Sequence, residues 1–343
     1  MIERPIIFST TKMRESGLDR LRAGGELRFA SSLDPATLHR EIAPADALVV
    51  RTAGYYDGPL MDAAPRLRVI GRHGVGYDQI DVAAATARGI QVIYTPGANT
   101  QSVVEHVFAM LIALSKQFPA QARALAEGRY DDRTKLVGRD IAGKTLGIVG
   151  LGRIGKRVAA VARDGFGMRV LAADVLEFSP DVLHHAGNAL PTPFADLLAQ
   201  SDYITLHVPL DDSTRRMIDR EALARIKPGA VLLNTCRGPV CDEAAVAEAL
   251  ASGRLFGYGA DVYDVEPPPA DPPLIGREDL NILLTPHSAA QTAESLTRMA
   301  NEVADDVVGV LQGKPPLNPV NDPAEVSAVR RRLGKPPIWP EEG

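Results

Sequence analysis

The sequence predicts an α/β protein of two doubly wound parallel-sheet domains, each sheet covered by helices. Short apolar runs alternate with amphipathic stretches from end to end, as expected for strands buried on both faces and the helices that cover them. At 343 residues the chain also exceeds the usual size of one hydrophobic core, so two domains are expected.

In the first hundred residues, apolar runs at 6–8, 47–50, 67–70 and 90–93 read as strands. Helical segments lie between them, for example 34–41 and 81–88, the latter closed by Gly89 as a C-cap. From Asn99 a long helical pattern runs to about Glu127 and ends at Gly128. A polar stretch over 129–143 then precedes a strand at 145–149, a helix at 154–164 and a strand at 169–172. Strands at 203–206, 230–234, 256–260 and 281–284 complete a six-stranded sheet. Because that sheet is already complete, the final helix, about 291–312, is expected to return to the first domain. The first domain is therefore read as discontinuous, 1–98 plus 288–343, and the second as 99–287. The tail from Lys314, rich in proline and charge, is expected on the surface or frayed.

Composition narrows the classes of function. The chain is 45% apolar and 24% charged, which excludes a disordered or fibrous protein. A net charge of -5 gives no general affinity for nucleic acid or an anionic membrane, so an anionic substrate needs a few placed arginines. No apolar stretch approaches the roughly 20 residues of a membrane span, and residues 1–10 do not form a signal segment. Cys236 and Cys241 match no metal or disulfide pattern. The adjacent His184 and His185 cannot point together from one strand, and His73 and His106 sit in packing contexts. A cytoplasmic protein without a metal is expected.

Gly150-Leu151-Gly152-Arg153-Ile154-Gly155 is a G-x-G-x-x-G run. Alone it is a weak signal, but it follows the apolar strand Leu146-Gly147-Ile148-Val149 and opens a helix, with Asp174 about 20 residues on. Gly150 would allow the tight turn, Gly152 the approach of a pyrophosphate, and Gly155 the packing of helix on sheet. The helix N-terminus, starting at Arg153 and Ile154, offers N–H groups and a positive dipole to phosphates. Asp174 would bind ribose hydroxyls and repel a 2′-phosphate, which favours NAD over NADP. This second domain is thus read as a Rossmann NAD-binding domain.

In an open parallel sheet, ligands bind outside the carboxyl ends of the strands. There the sequence places His207-Val208-Pro209, then Thr235-Cys236-Arg237-Gly238, then Asp261 and Glu266-Pro267, and last Thr285-Pro286-His287. An arginine, an acid pair and a histidine beside a nicotinamide site suit hydride transfer to a 2-oxo acid. A cation holds the carboxylate and polarises the carbonyl, and a histidine, favoured as imidazolium by a carboxylate, gives the proton. Each residue also has a plain alternative, as a surface charge, a turn residue or a hydrogen-bonded loop histidine. Their joint placement at one crevice is what favours the catalytic reading.

These residues resemble the D-2-hydroxyacid dehydrogenases, most closely the 3-phosphoglycerate dehydrogenase-like branch, over roughly 6–312. The likeness rests on Gly71-Arg72-His73-Gly74-Val75-Gly76-Tyr77-Asp78, Asn99-Thr100-Gln101-Ser102-Val103-Val104-Glu105, the glycine run, Asn234-Thr235-Cys236-Arg237-Gly238, Asp261-Val262-Tyr263-Asp264-Val265-Glu266-Pro267 and Thr285-Pro286-His287. It implies Arg237 as carboxylate and carbonyl binder, Glu266 as partner of the histidine, and His287 as acid/base. It further implies that amides near Val75 and Gly76 hold the substrate carboxylate. Asp261 would contact the nicotinamide carboxamide, and Gly150, Gly152, Arg153, Ile154, Gly155, Asp174, His207, Val208, Pro209, Thr235, Cys236 and His287 would line the cofactor site. The fold implied is a flavodoxin-like substrate domain and a Rossmann domain with the cleft between them, in a homodimer whose contact includes Gly128-Arg129-Tyr130. Cys236 stands where the family often has Ala, and an inert buried thiol is the expected reading. No regulatory domain follows Gln312, so feedback through one is not expected.

Arg51 and Arg72 fall where the phosphoglycerate branch places basic residues near the far end of its substrate. They read either as a clamp for a second anion or as surface ion pairs, and Tyr55-Tyr56 departs from that branch and allows an aromatic-lined pocket. A glyoxylate or hydroxypyruvate reductase is the nearest alternative. A formate dehydrogenase is disfavoured, because Gln would be expected at position 266. From another class, an NAD(H)-sensing binding protein resembling the C-terminal binding protein corepressors could keep the same Arg, Glu and His.

Overall fold

A computed structural model describes residues 4–51 and 54–340 of the chain. The chain divides into two units, Met1–Asn99 with Gln291–Gly343, and Thr100–Ala290.

Among the described residues the first unit holds five strands: β1 (Ile6–Ser9), β2 (Glu26–Phe29), β3 (Ala47–Val50), β4 (Val69–Arg72) and β5 (Gln91–Ile93). They pair in parallel in the order β2-β1-β3-β4-β5, the flavodoxin-like arrangement with its switch point between β1 and β3. β1, β3, β4 and β5 are buried along their length, which is why most of them read as apolar runs. The apolar pattern does not mark β2, an edge strand whose Glu26 and Arg28 form an ion pair. β4 begins two residues later than the run at 67–70 suggests and carries Gly71 and Arg72 opposite Val49 and Val50. A Cβ at Gly71 would run into Val303 and Val307, so the glycine lets the helix Ala293–Leu311 lie directly on this sheet. The buried Val303, Ala304 and Val307 form that face of the helix.

The tail corrects the expectation of a frayed surface segment. Asp322 caps a further helix, Pro323–Arg332, and Val326, Val329 and Ile338 are buried. Its proline does not prevent order, because Pro323 occupies the first turn, where the missing N–H has no helical partner to lose. Glu325, Arg331 and Arg332 lie outside, while Val326 and Val329, three residues apart, turn inward together with Arg330, whose guanidinium donates to the Gly89 and Pro336 carbonyls.

The second unit, among the described residues, holds seven strands: β6 (Thr145–Val149), β7 (Arg169–Ala173), β8 (Leu190–Pro191), β9 (Tyr203–Leu206), β10 (Ala230–Asn234), β11 (Leu255–Ala260) and β12 (Ile282–Leu284). Their order, β12-β11-β10-β9-β6-β7-β8, is the Rossmann arrangement, and every pair is parallel. The strand beyond the expected six is β8, two exposed residues at the edge, too short to leave a periodic signal. The chain order reverses between β6 and β9, so the loops after these two strands flank the switch point where ligands bind in such sheets. The long helix expected over 99–127 is two helices, Thr100–Ser115 and Phe118–Ala126. They part at Gln117, which takes a left-handed φ of 53°, and Pro119 in the next turn could not have continued the first helix.

Candidate active site

The glycine run leaves β6 as a tight turn. Gly150 has φ of 92°, and a Cβ there would run into the backbone of His207, so only glycine lets the loops after β6 and β9 approach this closely. A Cβ on Gly155 would strike the carbonyl of Gly150, whereas nothing lies within 4 Å of the Cβ position of Gly152. That open cradle sits at the start of the helix Arg153–Phe166, whose first turn no side chain caps. At the end of β7 the exposed Asp174 carboxylate accepts the Leu151 N–H at 2.7 Å and the Leu176 N–H at 3.1 Å. Asp174 therefore braces the glycine turn and keeps acceptor capacity for hydroxyl groups.

After β9, His207 bonds Thr205 Oγ1 at 2.9 Å, and burial pushes its imidazole down to about 3, so it is neutral at working pH. Val208 is partly buried and Pro209 exposed. After β10, the Thr235 hydroxyl is buried without a hydrogen-bond partner, an orphan that a bound ligand can satisfy. Cys236 is buried and its thiol donates to Asn234 Oδ1 at 3.2 Å. Burial pushes this thiol up, so it is the inert kind. The same Asn234 amide accepts the Cys236 N–H at 3.1 Å and donates to the Arg237 carbonyl at 2.9 Å, bracing the loop that presents Arg237. The partly buried Arg237 donates to the Cys236 carbonyl at 2.6 Å. Gly238 follows because a Cβ there would overlap the Tyr263 carbonyl.

The loops after β11 and β12 carry the acid–base pair. His287 Nδ1 lies 2.7 Å from Glu266 Oε2, and His287 Nε2 has no hydrogen-bond partner among the described residues. Burial alone would raise the Glu266 carboxyl. The hydrogen bond and charge of His287, the Tyr263 N–H and the nearby Arg237 outweigh it and hold Glu266 below the usual carboxylate range. His287 itself adopts φ of 51°, a left-handed conformation uncommon for a residue with a side chain. Asp261, only 1% exposed, holds that loop: Oδ1 accepts Thr285 Oγ1 at 2.5 Å and Ser288 N at 2.7 Å, and Oδ2 accepts Ala289 N at 2.8 Å. Oδ2 keeps one acceptor site for an amide N–H. His106 Nε2 meets Thr285 Oγ1 at 3.0 Å from the helix behind.

The first unit presents its candidates at the carboxyl ends of β3 and β4. Arg51 is half-buried and, among the described residues, makes no hydrogen bond or ion pair, and burial lowers its guanidinium. Arg72 is 6% exposed and differs sharply, donating to the carbonyls of His73 and Gly76. It is wrapped by the 73–76 loop and braces it. Within that loop the N–H groups of Val75 and Gly76 donate to no described atom. His73 is buried and pushed down to about 4 by burial and then by Arg51 and Arg72. Tyr56 is wholly buried with its hydroxyl 2.9 Å from Thr10 Oγ1, so only Tyr55, 62% exposed, could line a pocket.

Sequence reasoning did not mark Asn234, Thr285 or Tyr263 individually, although all three lie inside the quoted motifs. The Tyr263 hydroxyl donates to the Thr285 carbonyl at 2.9 Å, a contact that no spacing reveals.

A Rossmann sheet with an open glycine cradle, an exposed carboxylate at the end of β7 and a Glu–His pair at the strand ends suits a nicotinamide-dependent oxidoreductase. Residues 108–289 match the family described as D-isomer specific 2-hydroxyacid dehydrogenase, NAD binding domain. The chain is 38% identical over 333 residues to a glyoxylate reductase of Korarchaeum cryptofilum, covering 95% of this chain and 98% of that one. It is 37% identical over 314 residues to a D-3-phosphoglycerate dehydrogenase of Archaeoglobus fulgidus, covering 90% of this chain but 58% of that longer protein. A solved glyoxylate reductase from Paecilomyes thermophila superposes with a TM-score of 0.84 at 29% identity, covering 93% of this chain and 99% of that one. The chain belongs to the D-2-hydroxyacid dehydrogenase family. It is an NAD-dependent oxidoreductase of 2-hydroxy acids.

Proposed function

We propose that the enzyme interconverts a small D-2-hydroxy acid and its 2-oxo acid, with His287 as the acid/base. The observation that carries this reading is the 2.7 Å contact of His287 Nδ1 with Glu266, which leaves Nε2 directed away from its partner carboxylate. In the reducing direction NADH supplies the hydride to the carbonyl carbon. His287 Nε2–H gives its proton to the carbonyl oxygen as charge develops there, and Glu266 favours the imidazolium beforehand. Arg237 binds the substrate carboxylate and polarises the carbonyl, so its charge acts on the oxygen that becomes an alkoxide. Val75 and Gly76, whose N–H groups donate to no described atom, are also assigned to the substrate carboxylate. For the cofactor, Gly150, Gly152, Arg153, Ile154 and Gly155 take the phosphates and Asp174 the ribose. His207, Val208, Pro209, Thr235 and Cys236 line the nucleotide, and Asp261 receives the carboxamide. In this scheme 1–98 with 288–343 binds the substrate and 99–287 binds NAD.

The substrate acid is proposed to carry a second anionic group, phosphate-like or carboxylate, held by Arg51. A half-buried guanidinium with no partner among the described residues is the feature that favours this. A second reading, reduction of glyoxylate or hydroxypyruvate, is favoured by the near full-length match to a glyoxylate reductase. NADH oxidation against a panel of 2-oxo acids separates them. Turnover that requires a second anion supports the Arg51 site, and turnover of glyoxylate or hydroxypyruvate alone removes it.

A homodimer is also proposed. The helix Phe118–Ala126 and the turn at Gly128-Arg129-Tyr130 leave Phe118, Leu125 and Tyr130 more than half exposed, an apolar patch that a second copy would cover. Sedimentation velocity tests it, and a monomer sinks it. The free thiols and the NAD(H) pool suit a cytoplasmic location, and the acidic balance suits a protein without a nucleic-acid partner.

A further inference from the structure

His287 occupies a conformation that its own backbone does not favour. A left-handed φ at a residue with a Cβ is strained and persists only where the surroundings over-determine it. On one side the surroundings are Asp261: its carbonyl accepts the His287 N–H at 2.8 Å, and its carboxylate takes Thr285, Ser288 and Ala289. On the other side they are Tyr263, which touches Glu266 and the loop that carries His287. Its main-chain N–H donates to Glu266 Oε1 at 3.1 Å, and its side-chain hydroxyl donates to the Thr285 carbonyl at 2.9 Å.

That carbonyl belongs to the peptide joining Thr285 to Pro286. Pinning its oxygen fixes a plane from which a proline, with its own φ locked, leads directly to His287. The loop that carries Glu266 and the loop that carries His287 are thereby tied at a further point besides Asp261 and the 2.7 Å contact between the two side chains. We infer that Tyr263 is a positioning residue of the acid–base pair, holding Glu266 through its amide and His287 through the Thr285 carbonyl. This rests on the reading of His287 as acid/base. Burial, with Asp261, Glu243 and Glu266 adding to it, pushes the Tyr263 hydroxyl up to about 12, so it stays a donor at any working pH.

Tyr263→Phe deletes the hydroxyl and keeps the ring. The expected result is a fall of about tenfold in kcat for 2-oxo acid reduction, because small misplacements of a reacting group carry large rate costs. NADH affinity, read by fluorescence titration, stays at the wild-type value. The decisive measurement is the same substitution in the His287→Ala background. If Tyr263 acts through His287, it changes nothing further there. An unchanged kcat in Tyr263→Phe overturns the inference, and so does an equal loss in both backgrounds, which is the signature of a general structural role. Wild-type turnover by His287→Ala alone would instead remove the acid/base reading, and the clamp with it.

Discussion

The imidazole Nδ1 of His287 sits 2.7 Å from the Glu266 carboxylate, while a second Glu266 oxygen accepts the Tyr263 N–H. The carboxylate is thus oriented before any substrate arrives, and one face of the imidazole remains for chemistry. Removing the imidazole by His287→Ala is expected to lower kcat by roughly 10²–10⁴-fold, the usual contribution of a general acid. Affinity for NADH should change far less than kcat, and stopped-flow binding beside steady-state rates checks both.

The same pair predicts a pH dependence. Glu266 is held below its ordinary value of 4.5, so its interaction with His287 is complete above that pH and is lost as pH falls through the lower folded value. The acidic limb of kcat/KM arising from this group is expected below about pH 4.5. Glu266→Gln should abolish that limb and lower activity across the neutral range. An acidic limb that survives the substitution belongs to another group.

Asp174 accepts the Leu151 N–H at 2.7 Å and is the proposed ribose contact. Asp174→Ala is expected to shift the ratio of kcat/KM for NADPH over NADH upward by roughly tenfold, equivalent to about 1.4 kcal/mol of relieved repulsion. Some NADH affinity should be lost as well, because the substitution also frees the glycine turn. A constant ratio would place the ribose contact elsewhere.

Arg51 and Arg72 should behave differently, because one has no partner among the described residues and the other is committed to backbone carbonyls. Arg51→Met is expected to raise KM for dianionic 2-oxo acids by about tenfold to a hundredfold, the worth of one charged hydrogen-bonded contact, and to spare monoanionic ones. Arg72→Met should impair both classes alike by loosening the 73–76 loop. Kinetics with paired substrates of each class make the comparison.

Gly238 passes so close to the Tyr263 carbonyl that a single added carbon overlaps it. Gly238→Ala is expected to destabilise the fold by about 1–3 kcal/mol, the range for overpacking, and to displace Arg237. A lowered Tm together with a raised KM for the 2-oxo acid is the expected pattern. Wild-type values of both would mean that the loops separate freely.

Much of the molecule was legible in the chain because its signals are local. β6, β9 and β10 are buried on both faces and so appear as apolar runs, and Gly150 and Gly155 are demanded by a turn and a contact within six residues of each other. The edge strands β2 and β8 left no such run, and the ordered tail at Val326 and Ile338 was masked by proline and charge. Arg72 looks like Arg51 in sequence, since both end a strand, and only the fold reveals that one guanidinium is wrapped by its own loop.

By itself the sequence determined the sheet classes, the dinucleotide turn and the identity of the residues at the strand ends, since each follows from periodicity or short spacing. Tertiary structure alone decided which residues hold that set in place. The resemblance already implied the Glu266–His287 pairing, but the hold of Asp261 on Ala289 and the reach of Tyr263 to Thr285 join residues 28 and 22 positions apart. Such contacts depend on two parallel strands lying side by side in register, which no local pattern specifies.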